Sequence, residues 1–79
     1  MDRTIGQMRY TSRRVKDNLG GYEGSELMRS RDGGEALRVA SVLYWDASPG
    51  FHVETFGTDV PLEILEELIA ETKEKMGYK

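Results

Sequence analysis

Apolar and polar positions alternate clearly from Tyr22 onward. The run "YEGSELMRSR" (Tyr22 to Arg31) predicts a strand, weakened at its start because Gly24 offers no side chain to pack. "DGG" (Asp32 to Gly34) is a tight-turn signal, since glycine supplies the positive φ that primed hairpin turns need. "EALRVASVLYW" (Glu35 to Trp45) is a longer strand pattern, rich in the β-branched and aromatic residues that suit a pleated, half-buried surface. In "DASPG" (Asp46 to Gly50), Pro49 fixes its own φ and drives Ser48 out of the helical region, which predicts a second turn. "FHVETF" (Phe51 to Phe56) predicts a further strand.

The period then changes from 2 to 3.6. "TDVPLEILEELIAETKEKMG" (Thr58 to Gly77) carries helix signals at both ends. Thr58 or Asp59 can cap the free amides of the first turn, and Pro61 sits where a missing N–H costs nothing. Leu62, Leu65, Leu68, Ile69, Thr72 and Met76 fall on one stripe, with Ile64 beside it. Five glutamates fill the other faces, Lys73 and Lys75 come late as the helix dipole favours, and Gly77 is a natural left-handed stop.

Residues 1–21 are harder to place. Ile5, Met8, Tyr10 and Val15 follow neither period, Arg13, Arg14 and Lys16 cluster, and Asn18, Gly20 and Gly21 signal a turn or linker. Either a basic arm or a short first strand near Gln7–Ser12 is expected there. Residues 22–79 then form one domain of class α+β: an antiparallel meander of three or four strands, with one C-terminal helix packed across one face.

Parity decides which side chains meet that helix. Leu37, Val39, Ser41, Leu43 and Trp45 form the more apolar set of the long strand, and Phe51, Val53 and Thr55 that of the next. A three-residue loop, Ser48 to Gly50, keeps both sets on one face and pairs Trp45 with Val53. Trp45 is then an anchor under the hairpin tip. Asp46 and His52 form a polar pair above it, a surface contact that helps fix register. The opposite face leaves Ala40, Val42, Tyr44 and Phe56, with Arg38, as a half-apolar patch without a helix to cover it.

Length, charge and chemistry narrow the function. A chain of 79 residues makes one small domain, with a stability of only a few kcal/mol. With no cysteine and one histidine, disulfides are excluded and a structural zinc site is not expected. The net charge of −3 is unevenly spread: residues 1–31 hold seven basic and four acidic side chains (+3), and residues 32–79 hold four basic and ten acidic (−6). No long apolar run predicts a membrane span, and "MDRTIGQMRY" lacks the apolar core of a signal peptide, so a cytoplasmic protein without a membrane partner is expected.

No nucleophile–base–orienter set, P-loop or dinucleotide fingerprint is present, so no enzyme and no cofactor is expected. The leading expectation is a non-enzymatic binding or assembly module, homodimeric through the free sheet face or a sheet edge, with Arg38, Ala40, Val42, Tyr44 and Phe56 at the interface. The alternative is a single-stranded nucleic-acid binder using Arg9, Arg13, Arg14, Lys16, Arg29 and Arg31 with sheet aromatics.

Overall fold

The structure is a computed structural model and describes residues 1–77, so the last two positions of the expected 22–79 unit lie outside it. Five antiparallel strands lie side by side in chain order: β1 (Asp2–Ile5), β2 (Met8–Asp17), β3 (Tyr22–Arg31), β4 (Leu37–Trp45) and β5 (Phe51–Thr55). One helix, α1 (Leu62–Lys75), packs against β3 and β4. The class is α+β, with one more strand in the meander than the upper expectation.

The extra strand comes from the N-terminal segment. β1 and β2 form a hairpin in which Ile5 pairs with Met8 across a two-residue loop, and Gly6 takes the positive φ (60°) such loops demand. Arg3 and Ile5 before the loop share a face with Met8, Tyr10 and Ser12 after it. Two residues of turn therefore interrupt an ordinary period of 2. Asn18 to Gly21 form the next turn, as expected: Gly21 (φ 72°) donates its N–H to the Asp17 carbonyl, and the Asp17 carboxylate accepts from the Gly20 N–H.

The long strand turns its other side to the helix. Val42 pairs with Val53, and Tyr44 with Phe51. The loop between β4 and β5 is thus longer than the three residues expected, running from Asp46 to Gly50, and the odd change in register flips one strand relative to the other. It is β4 that flips. Ala40 and Val42 lie fully buried with Leu27, Ile64 and Leu68, joined by Tyr10 and Val39. The register also shifts by one residue between Leu27 and Met28, so Val39 is an extra residue that bulges, and both it and Ala40 are buried. On β5, Phe51 and Val53 keep the helix side, as expected. Leu43 and Trp45 are half-buried on the helix-free face.

Gly24 has its own reason to be small. A Cβ there would collide with the Val42 carbonyl oxygen and come within 2.9 Å of the Leu43 Cα. β3 and β4 approach too closely here for any side chain.

The helix differs from its expected ends and stripe in two ways. Pro61 is itself the N-cap residue, and its carbonyl accepts from the Ile64 and Leu65 amides. The Thr58 hydroxyl and the Asp59 carbonyl are taken by Arg29 instead. Ile64, Leu68 and Thr72 are the buried centre, Leu65 and Ile69 flank it, and Leu62 is 70% exposed. Thr72 satisfies its buried hydroxyl by donating to the Leu68 carbonyl at 2.7 Å. Gly77, at φ 80°, ends the helix as expected.

Acids on one flank of α1 tie it to the first hairpin. Glu71 accepts from Ser12 at 2.7 Å and Lys75 at 3.0 Å and pairs with the Met1 amino group at 3.1 Å, while Glu67 pairs with Arg3 at 3.3 Å. Burial pushes the Glu71 carboxyl up, but hydrogen bonds from Ser12, Lys75 and the amino group outweigh it and hold the group below its ordinary value.

Leu68→Ala is expected to cost about 2–5 kcal/mol, because it opens a cavity at the fully buried centre. Leu62→Ala is expected to stay within about 0.5 kcal/mol. Urea unfolding followed by Trp45 fluorescence measures both, and equal costs would contradict this helix orientation.

Candidate interaction surface

Three surfaces remain after the core is set: the helix-free face, the seam between α1 and β5, and the outer edge of β5. On the helix-free face the register places Glu26 between Arg13 on β2 and Ser41 on β4, with Glu54 beyond. Glu26 is the hub of this face. Its Oε1 accepts from Arg13 Nε at 2.9 Å, its Oε2 accepts from Arg38 Nη1 at 2.9 Å, and its side chain is only 11% exposed. The Arg38 guanidinium also lies 4.2 Å over the Phe56 ring, a cation–π contact. Burial pushes the Glu26 carboxyl up, but the hydrogen bonds from Arg38 and Arg13 and their charge hold it below the ordinary carboxylate range. Further along, Tyr22 and Trp45 pair across the strands with ring centroids 4.9 Å apart.

The seam lies on the other side of the sheet. Phe51 packs edge-on to Tyr44 with centroids 5.3 Å apart, and Lys73 reaches over Phe51 at 5.8 Å. Lys73 is one turn beyond Ile69 and two beyond Leu65, so this apolar flank of α1 is the one directed to β5. Because α1 sits over β3 and β4, β5 is only partly covered: Val53 is 46% exposed. Among the described residues no strand lies beyond β5, and His52, Val53, Glu54 and Thr55 are exposed.

The two edges of the sheet are unequal. β1 is short and carries Asp2 and Arg3, charges that discourage another strand from pairing. β5 has neither lysine nor proline, and Glu54 is its one fixed charge.

The five residues expected at one interface do not share a surface. Ala40 and Val42 are in the core, Tyr44 is half-buried beside Phe51 under the helix side, and only Arg38 and Phe56 belong to the helix-free face. The cause is the flipped parity of β4. The expected polar pair is not made either. His52 lies opposite Leu43 and its Nε2 contacts the Ser48 carbonyl at 3.1 Å, while the Asp46 N–H donates to the Gly21 carbonyl at 2.8 Å.

The basic residues do not form a stripe. Arg9 is held bidentately by Asp2 and Arg13 by Glu26, both on the helix-free face. Arg14 pairs with Glu23 at 2.7 Å, Arg29 is engaged by Thr58 and Asp59, and Arg31 by Gln7 at 2.9 Å. These three share the helix side of the sheet with Lys16.

Glu26, Tyr22, Val53 and Leu62 are the residues that sequence patterns left out of any site. Glu26 was detectable in principle: an acid beside Leu27 and Met28 at the middle of a central strand demands a cation, and Arg13 and Arg38 sit on the flanking strands. Among the described residues there is no enclosed pocket, no group of three or more metal-ligating side chains, and no helix long and apolar enough to cross a membrane.

Glu26→Gln is expected to cost about 1–3 kcal/mol at pH 7, since it removes the charge both arginines bind. The Glu26 pKa is lowered on folding. Its contribution is therefore complete above the unfolded value of about 4.3 and disappears as pH falls through the lowered folded value. Stability measured at pH 7 and pH 3 should fall less in the variant than in the wild type, and an equal fall would refute the role.

In comparisons with known proteins, no family model, curated protein or solved structure matches the chain.

Proposed function

We propose that this chain is a small, non-enzymatic assembly module that acts as a homodimer through a sheet edge, β5. One observation carries the reading: the poorly defended edge of β5 lies beside a half-covered apolar strip in which Val53 is 46% exposed. An open edge offers unpaired N–H and C=O groups as a template for another strand. Apolar area beside it adds roughly 25 cal/mol per Å² when covered, before the cost of association. A domain this small gains stability from a partner when its own core is limited.

The expected mass in light scattering at high micromolar concentration is twice the 9.0 kDa of one chain. Val53→Lys places a charge on the seam and is expected to weaken association at least tenfold, about 1.4 kcal/mol. A wild-type protein that stays monomeric throughout the range would end this proposal.

A second reading, single-stranded nucleic-acid binding, is favoured by the Tyr22–Trp45 ring pair on the helix-free face, where a base can stack. The arginines of that face count against it, because Arg9, Arg13 and Arg38 already face carboxylates. If it holds, mixed oligonucleotides at low salt quench the fluorescence of Trp45, the chain's one tryptophan, and salt reverses the effect. A flat titration removes this reading.

A further inference from the structure

Resting on the homodimer reading, we infer its geometry: β5 pairs with β5 of a second copy, antiparallel, about a two-fold axis at Val53, so that His52 of each copy meets Glu54 of the other.

The backbone sets the first constraint. Just outside β5, the Trp45 N–H donates to the Gly50 carbonyl at 3.4 Å and the Phe56 N–H donates to the Val39 carbonyl at 3.1 Å. Bonded positions alternate along an antiparallel strand. His52 and Glu54 therefore turn their backbone groups inward to β4. Phe51, Val53 and Thr55 turn theirs outward to the open edge.

The side chains set the second constraint. A two-fold axis that joins outward groups to outward groups sets residues of like parity opposite each other. An axis at His52 would face imidazole with imidazole and would offer Thr55 to Pro49, which has no N–H. An axis at Glu54 would face carboxylate with carboxylate, which is destabilising across a strand pair. The axis at Val53 sets His52 against Glu54 twice, Val53 against Val53 and Phe51 against Thr55. It engages all three outward residues. β5 is thus complementary to itself in one register.

The same axis stands perpendicular to the sheet, so both helices lie on one side of a joined sheet. The half-exposed Val53 side chains then cover one another on that side.

The chain has no cysteine, so introduced thiols report without background. His52→Cys and Glu54→Cys are made separately. Both positions are exposed, so both variants keep the fold. Each is oxidised alone and in an equal mixture, at a concentration where the wild type is dimeric by light scattering. Directly opposed, non-hydrogen-bonded residues of an antiparallel pair have Cα atoms about 4.5 Å apart, within disulfide reach. The expected result is a reducible dimer in the mixture and little in either variant alone. Cross-linking of one variant alone, in preference to the mixture, overturns the register. No cross-link in any sample, with the wild type still dimeric, moves the dimer to another surface: it overturns the β5 edge and its register and leaves only the homodimer. A monomeric wild type removes the homodimer reading itself.

Discussion

α1 can bury Ile64 and Leu68 only against a face that offers apolar side chains at matching height, and β3 and β4 supply Leu27, Ala40 and Val42 there. This docking fixes the rest. It forces β4 to turn Tyr44 toward the helix and Trp45 away from it. It leaves β5 at the margin of the helix footprint, so Phe51 is sheltered and Val53 is not. It also turns the polar faces of β2 and β3 outward, where Glu26 gathers Arg13 and Arg38 across three strands. In so small a core each of these contacts is a large fraction of the total, because burying one aliphatic side chain contributes about 1.5–3 kcal/mol.

The basic side chains of the first strands are largely engaged within the molecule. The basic N-terminal third and the acidic helix meet in Arg3 with Glu67 and in the Met1 amino group with Glu71. The remaining arginines of the first strands meet acids on neighbouring strands, or carbonyl and hydroxyl oxygens. Exposed pairs of this kind contribute little individually, about 0–1 kcal/mol. Their effect is to occupy most of the arginines, which is why a cluster such as Arg13, Arg14 and Lys16 is a weak guide to a polyanionic partner. Neighbours in sequence point to opposite faces of a strand and meet different acids.

The class of fold, the strands from Tyr22 to Thr55 and the C-terminal helix were legible, because turns at Asp32–Gly34 and Ser48–Gly50 and a long 3.6 period are strong local signals. The face of β4 was not. Leu37, Val39, Leu43 and Trp45 on one side compete with Ala40, Val42 and Tyr44 on the other, and apolar content alone favours the wrong set. A bulge at Val39 and a longer loop before Phe51 decide the matter, and both depend on tertiary packing rather than on local preference. The β1–β2 hairpin was hidden by its own turn at Gly6 and Gln7, which shifts Ile5 and Met8 out of phase. The open edges of the meander were legible as a feature of the fold, but the residues left exposed along them were not, since the exposure of Val53 and Leu62 follows from where α1 comes to rest.

The chain-order arrangement of the strands has a kinetic side. Each strand pairs only with its sequence neighbours, so loop closures are short and the sheet is built from local hairpins, the condition under which small domains fold fast. The helix is the exception, since it returns over strands made much earlier. During synthesis the face of Leu27, Ala40 and Val42 is therefore complete before its cover exists. For that interval the nascent sheet is sticky on one side, and the brevity of the link from Thr55 to Leu62 limits how long the interval lasts.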